Sequence, residues 1–220
     1  MKILIVSATA FEVQPTLDFL SQNKEKINNH IDFLVTGIGT VATAFQLGRK
    51  LQNHDYQLVI NAGVAGAYNK NELNLGDVVN VVCEQFSDIG AEDKDGSFID
   101  FFQNGLINPN ESPFQNAELL NLAGAEFDFL PLAKGITRNT TSGFLPNIEK
   151  LKSYNADVET MEGAAFFYVC LQLEVNFLQI RAISNYVEAR NRDNWKMKEA
   201  IEKLNEVLIA TLQQFNNLTS

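Results

Sequence analysis

Cysteine and histidine are nearly missing from this 220-residue chain, in which Cys83, Cys170, His30 and His54 are all there is of either. With no CxxC pair, neither a disulfide framework nor a zinc site is supported, and both cysteines read as small buried hydrophobes. No apolar run approaches the ~18 residues of a membrane span. The opening MKILIVSATAFE has neither a basic n-region nor a cleavage site, so a cytoplasmic protein away from membranes is expected. Positive charge is also short: 17 Lys+Arg against 27 Asp+Glu leaves −10, and nowhere do basic residues cluster with aromatics. Nucleic acid is therefore disfavoured as a partner. There is no internal repeat and no low-complexity tail. What remains is 45% hydrophobic and 20% charged, the composition of one sizeable globular domain spanning 1–220.

The apolar pattern alternates between short runs and helical spacing. Strands are expected at Lys2 to Ser7, Phe33 to Thr36, Gln57 to Asn61, Asp77 to Phe86, Phe127 to Leu132, Gly135 to Asn139, Ala156 to Glu159 and Asn176 to Ser184. Helices are expected at Phe11 to Leu20, Val41 to Leu51, Leu145 to Tyr154, Gly163 to Leu173 and Trp195 to Phe215. Between Ser87 and Gln115 the composition turns to Asp, Gly, Asn and Pro, a surface excursion after which sheet elements resume. Strands apolar on both faces alternating with amphipathic helices predict an α/β domain with helices on both sides of a mainly parallel or mixed sheet.

In such sheets ligands sit beyond the carboxyl ends of strands. Five junctions there stand out: SATAFE (Ser7 to Glu12), TGIGT (Thr36 to Thr40), NAGVAGA (Asn61 to Ala67), VETMEG (Val158 to Gly163) and AISNYVEARNR (Ala182 to Arg192). None contains GxGxxG or GxxxxGK[ST], which excludes a dinucleotide fingerprint and a Walker A loop.

Taken in order, Glu12, the GIG turn, the GxAG loop at Gly63 to Gly66, the Met161-Glu162 pair and the Ser184-Asn185 pair resemble the nucleoside phosphorylase and nucleosidase superfamily from end to end. The 23 residues from Glu162 to Asn185 are similar to the spacing in methylthioadenosine/S-adenosylhomocysteine nucleosidases. VETMEGAAF followed by ISNYVEARNRDNW looks most similar to futalosine hydrolases of the alternative menaquinone pathway. The resemblance implies a three-layer phosphorylase/hydrolase-like fold with a central mixed, mainly parallel sheet. It also implies a nucleoside substrate, no cofactor or metal, and a homo-oligomer in which a partner chain closes the substrate's 5′ side.

By the same resemblance, Glu12 and Asn185 are the catalytic pair, Glu12 activating water at C1′ and Asn185 stabilising the departing base. Gly63, Val64, Ala65, Gly66, Phe144, Met161, Glu162, Ser184 and Arg192 are the substrate-binding set. Read on their own, these residues have blander roles. Thr9 to Glu12 is a T-x-x-E capping box, Glu162 is an acid in a first helical turn, Met161 and Phe144 suit a core, and Gly37 and Gly39 are turn glycines. Arg181, inside a strand, reads as a structural ion-pair partner. A carboxylate at Glu162 suits the ribose diol, because it offers acceptors to two donors.

Asn185 stands where adenine nucleosidases carry Asp. A 6-oxopurine presents two acceptors, N7 and O6, and an amide NH₂ donates to them where an ionised carboxylate is repelled; Asn also pairs with adenine at N6 and N7. Purine phosphorylases place Arg and Ser around the glycine loop, but Asn61 and Val64 stand at those positions, and no Arg or Lys lies between Asp55 and Tyr68. Hydrolysis is expected, although nucleosidases keep Ser where Val64 sits. After Asn185, Tyr186, Arg190, Arg192 and Trp195 offer an aromatic wall and a guanidinium for a carboxylate tail, with Arg192 preferred and Arg190 in reserve. The rival readings are a methylthioadenosine/S-adenosylhomocysteine-type nucleosidase, a purine nucleoside phosphorylase, and a non-catalytic nucleoside-binding protein.

Overall fold

The computed structural model describes residues 1–23, 28–53, 55–127 and 129–218, so His54 lies outside the described residues. The first strand, β1 (Lys2–Ser7), shows why the fold has three layers. Successive strand residues point to opposite faces, and here both faces are apolar: Ile3 and Ile5 enter one core, Leu4 and Val6 the other. The first core is roofed by α1 (Ala10–Gln22) and α5 (Met197–Leu218), whose Leu204 and Leu208 pack there. The second takes Leu47 from α2 (Thr40–Leu51) and Phe166 and Phe167 from α4 (Gly163–Gln172). An α/β fold with a mixed sheet follows.

The strand on which the site depends is β3 (Leu58–Ala67). Along one edge it pairs with parallel β10 (Phe177–Tyr186), from Val59 to Ala67. Along the other edge β1 covers only Leu58 to Asn61, and β9 (Val158–Thr160) covers only Gly66 and Ala67 in the antiparallel sense. From Ala62 to Ala65 that edge has no strand partner among the described residues. β10 also pairs with β4 (Val78–Phe86), β4 with β8 (Leu132–Thr137), and β8 with β9, closing a ring of five strands through β3. β2 (His30–Val35) extends the sheet beyond β1. The excursion after β4 carries a small hairpin, β5 (Gly90–Glu92) and β6 (Phe98–Asp100), and returns through β7 (Leu119–Leu120) onto β4.

Three expected boundaries are corrected. NAGVAGA is not a loop after a strand but the carboxyl half of β3. Its small residues have weak β-propensity, and full-length pairing with β10 overrides it. The strand expected over Phe127 to Leu132 joins the sheet only at Leu132, and Asp128 lies outside the described residues. Phe127 and Leu130 are apolar because they pack on the α5 core, not because they sit in a ladder. The helix expected over Leu145 to Tyr154 is α3 (Leu145–Leu151) with a 3₁₀ turn behind it. Cys83 and Cys170 are buried and free, and burial pushes the Cys83 thiol up to about 12.

Where β4, β8 and β10 meet the start of α4, a polar chain crosses the interior. Asn61 Nδ2 donates to Gln179 Oε1 at 3.1 Å, Gln179 Nε2 to Glu84 Oε1 at 2.6 Å, and Thr137 Oγ1 to Glu84 Oε2 at 2.9 Å. Glu84 is fully buried, and loss of solvent raises its carboxyl from the ordinary 4.5 to about 7, against the pull of those donors. A folded value above the unfolded one means that Glu84 favours the fold fully below about pH 4.5 and loses that contribution as pH rises through about 7. By linkage the loss is on the order of 3 kcal/mol. Thermal melts of wild type and Glu84→Gln between pH 4.5 and 8 are expected to diverge, the wild type falling several degrees further towards pH 8. Parallel pH profiles would exclude a neutral carboxyl at this position.

Candidate active site

The unpaired stretch of β3 is where the candidate residues gather. The turn from β1 to α1 lies over it, and Thr9 caps the helix: its backbone N and its Oγ1 donate to Glu12 Oε2 at 2.9 and 3.0 Å. The capping-box reading of Glu12 thus holds for one oxygen. The other, Oε1, accepts from the backbone N of Val64 at 3.3 Å, one of the main-chain groups β1 and β9 leave uncovered. From the opposite side, β9 delivers Glu162 as the N-cap residue of α4. Its Oε1 accepts from the Gly39 amide at 3.0 Å, and Gly39 reaches that position with a φ of 90° in the GIG turn. Burial raises the Glu162 carboxyl, Arg181 and the Gly39 bond oppose this, and the charge of Glu12 adds to it.

Between these walls is a cavity of about 370 Å³, lined by Glu12, Val64, Ala65, Gly66, Met161, Glu162, Ser184 and Asn185 from the anticipated set. Asn185 is aimed by a register shift in β10 between Ile183 and Asn185. It lies so close to β3 that a Cβ on Gly66 would meet its Nδ2 at 3.0 Å. Its amide is oriented by its neighbours: Oδ1 accepts from Ser184 Oγ at 2.9 Å and Nδ2 donates to the Tyr186 carbonyl at 3.1 Å. A carbonyl only accepts, so the atom facing Tyr186 is the nitrogen, and one of its hydrogens remains free. Phe11, Ile38, Met197 and Ile201 line the cavity with apolar surface, and Trp195 lines it too.

Three anticipated residues do not line this cavity. Gly63 lies against Glu12 and Arg181 at the β3–β10 ladder. Phe144 is the N-cap of α3 and 64% exposed, so it neither lines the cavity nor sits in the core. Arg192 is exposed with its guanidinium 5.8 Å from the Trp195 ring centre, and Arg190 flanks the same ring at 5.4 Å while donating to Thr141 Oγ1 at 2.9 Å. A larger groove of about 1010 Å³ separates the β5–β6 hairpin from β8 and α3. It holds none of the candidate residues, and its Lys134, Arg138 and Lys150 are interspersed with Asp88, Asp100 and Glu118 rather than converging.

The sequence profile of the Phosphorylase superfamily matches residues 2–213. The chain belongs to that superfamily. It is similar to the futalosine hydrolase of Thermus thermophilus, 31% identical over 180 residues that cover 78% of this chain and 76% of the relative. It is also similar to the 5′-methylthioadenosine/S-adenosylhomocysteine nucleosidase of Glaesserella parasuis, 28% identical over 98% of this chain and all of the relative. Among solved structures, the native futalosine hydrolase of Helicobacter pylori shares the fold with a TM-score of 0.77 at 17% identity, covering 97% of this chain and 98% of that one. The expected N-ribosyl hydrolase agrees with these relatives, and futalosine hydrolases and methylthioadenosine/S-adenosylhomocysteine nucleosidases stand side by side among them.

Around the cavity, sequence reasoning passed over two charged residues. Arg181 is 1% exposed, and the structure does not give it the expected ion pair: its Nε and Nη2 have no hydrogen-bond partner among the described residues. Its charge instead lowers the carboxyls of both Glu162 and Glu84 through space. A cation inside LQIRAIS, an otherwise apolar strand, was the available signal. Glu159 accepts from Ser142 N at 2.7 Å, Ser142 Oγ at 2.6 Å and Tyr68 OH at 2.7 Å, fastening the Thr141-Ser142 wall of the cavity to β9.

Arg181 stands opposite Gly63 in the ladder, and a Cβ on Gly63 would collide with Arg181 Nη1 and meet Glu12 Oε1 at 2.9 Å. A buried guanidinium on a central strand has no space to retreat into. Gly63→Ala is therefore expected to lower turnover about a hundredfold, as misplacement of a reacting group by ~1 Å does, in a protein that remains folded by circular dichroism. Turnover within threefold of wild type would show that the close approach is not required.

Proposed function

We propose that this nucleosidase hydrolyses the N-glycosidic bond of a 6-oxopurine nucleoside, and that futalosine, cleaved to hypoxanthine and dehypoxanthine futalosine, is its substrate. The observation that carries the purine assignment is the orientation of Asn185: its oxygen is engaged by Ser184, and its nitrogen keeps a hydrogen to donate. N7 and O6 of hypoxanthine are both acceptors that this hydrogen serves, whereas the 6-amino group of adenine has to share the oxygen with Ser184 through its second lone pair. Glu162 receives the ribose hydroxyls, with Met161 against the sugar. Glu12 Oε1, beside the Val64 amide, orients and activates water at C1′. As the bond breaks, the sugar gains oxocarbenium character and the base gains negative charge. Donation from Asn185 then strengthens towards the transition state, which is what lowers the barrier.

Water is favoured over phosphate by charge. The glycine-rich half of β3 has no cation of its own, and although Arg181 reaches it from β10, Glu12 and Glu162 lie around that positive charge. A phosphate dianion brought into that company is repelled, and a neutral water is not. For the tail, Trp195 lines the cavity with Arg190 and Arg192 on its ring. Arg190 is committed to Thr141, so Arg192 is the guanidinium that turns onto an aryl carboxylate beyond C5′. The apolar lining of Phe11, Ile38, Met197 and Ile201 supports the second reading, a methylthio tail.

The deciding experiment measures free base released from futalosine, inosine and methylthioadenosine, with and without phosphate, by wild type and Arg192→Ala. Phosphate-independent release of hypoxanthine is expected, with the variant losing roughly ten- to a hundredfold on futalosine and little on inosine, the worth of a hydrogen bond to a charged group. Cleavage of methylthioadenosine but not futalosine would overturn the substrate, and a requirement for phosphate would overturn the hydrolysis.

A second copy of the chain is proposed to close the apolar mouth. Ile38, 62% exposed, continues onto Val41 and Phe45 of α2, which are 82% and 59% exposed. Light scattering at micromolar concentration is expected to give a dimer or larger; a fully active monomer would remove this element.

A further inference from the structure

Helix α1 carries Glu12 in its first turn and Pro15 in its interior. Proline has no N–H, and its ring crowds the carbonyl four residues back, so a helix opens on that side. Into this turn comes one side chain from far along the chain. Asn205 of α5 is 2% exposed, and its Nδ2 donates to the Glu12 carbonyl at 2.8 Å and to the Ile201 carbonyl at 2.7 Å. Its Oδ1 accepts from Thr16 N at 3.0 Å and Thr16 Oγ1 at 2.6 Å. The Glu12 carbonyl and the Thr16 amide are the pair that an unbroken α-helix joins directly. α1 runs on through Pro15, and Asn205 bonds to both members of this pair with every donor and acceptor of its amide in use.

We propose that Asn205 is a positioning residue for Glu12: it splices the helix at Pro15 and thereby fixes the height of the Glu12 carboxylate over the Val64 amide. This rests on the reading of Glu12 as the group that activates water. Ile201, whose carbonyl shares the Asn205 nitrogen, itself lines the cavity, so the same amide ties the α5 wall of the site to its α1 wall. Asn205 touches no substrate in this scheme; it acts by holding the backbone of a residue that does.

The test uses Asn205→Asp, which keeps the acceptor for Thr16 but sets a carboxylate against two carbonyls, and Asn205→Leu, which removes both functions. The readouts are kcat and KM for base release from futalosine and from methylthioadenosine. The benchmarks are Glu12→Gln and Leu212→Ala, the latter a core truncation on the same helix expected to lower Tm without changing kcat. Both Asn205 variants are expected to lose at least tenfold in kcat with KM within twofold. Adding Pro15→Ala to Asn205→Leu is expected to recover part of kcat, because alanine restores the residue 15 amide to Phe11 carbonyl bond and removes the ring that crowds this turn, so the helix holds the Thr16–Glu12 pair without the brace. Amide exchange at Thr16 is expected to quicken at least tenfold in Asn205→Leu and to slow again in the double variant. Unchanged kcat in folded Asn205 variants, a kcat loss no larger than Leu212→Ala produces at equal loss of Tm, or no recovery with Pro15→Ala would each overturn the proposal. If Asn205→Leu does not fold, the Asp variant carries the kinetic comparison. Wild type inert towards both nucleosides would overturn the reading of the site and not the splice, which Thr16 exchange reads by itself.

Discussion

A guanidinium buried to 1% exposure is stable only if negative charge is built around it, and much of this site follows from that requirement. Arg181 lies on the central strand β10 opposite a residue with no side chain, and its charge acts on Glu84 and Glu162 while Glu12 lies across Gly63. The arrangement works in both directions. The acids offset part of the cost of burying the cation, and the cation holds the Glu162 and Glu84 carboxyls below where desolvation alone would take them. Three acids, Glu12 from the first turn of α1, Glu84 from within β4 and Glu162 from the N-cap of α4, are thereby drawn to one place beside the ring of β3, β10, β4, β8 and β9.

The parts of the site legible in the sequence are those where a short motif forces a local geometry. The T-x-x-E box at Thr9 to Glu12 placed a carboxylate at a helix start, and the GIG turn presented a backbone amide. The register of motifs then set the acids around one cavity. What escaped reading came from partners distant in sequence. Arg181 looks like an ion-pair arginine until the ladder puts it against Gly63. Phe144 matches an aromatic expected to stack on a base, yet the N-cap geometry of α3 leaves it in solvent. The Gly-Ala run of β3 has the composition of a loop, and only pairing with β10 makes it a strand.

The chemistry and the selectivity of the site are carried by different materials. The group facing Glu12 is a backbone amide, and the one facing Glu162 is a backbone amide too. Those proposed to meet the base and the tail are side chains, Asn185 and Trp195 with Arg192 on its ring. A superfamily whose members include both futalosine hydrolases and methylthioadenosine/S-adenosylhomocysteine nucleosidases fits such a division.

The stretch of β3 from Ala62 to Ala65 is paired on one edge and bare on the other, because β1 ends before it and β9 begins after it. In engineering terms this makes the strand a rail with a replaceable fitting. Its position is fixed by β10, so the half-buried side chain facing the cavity at Val64 is open to exchange for others of different size without moving the amide on which Glu12 is seated, whereas Ala65 is buried in the core behind it. New cavity shapes would be sought first at Val64, and last at Gly63, where the back of the rail already touches the buried charge.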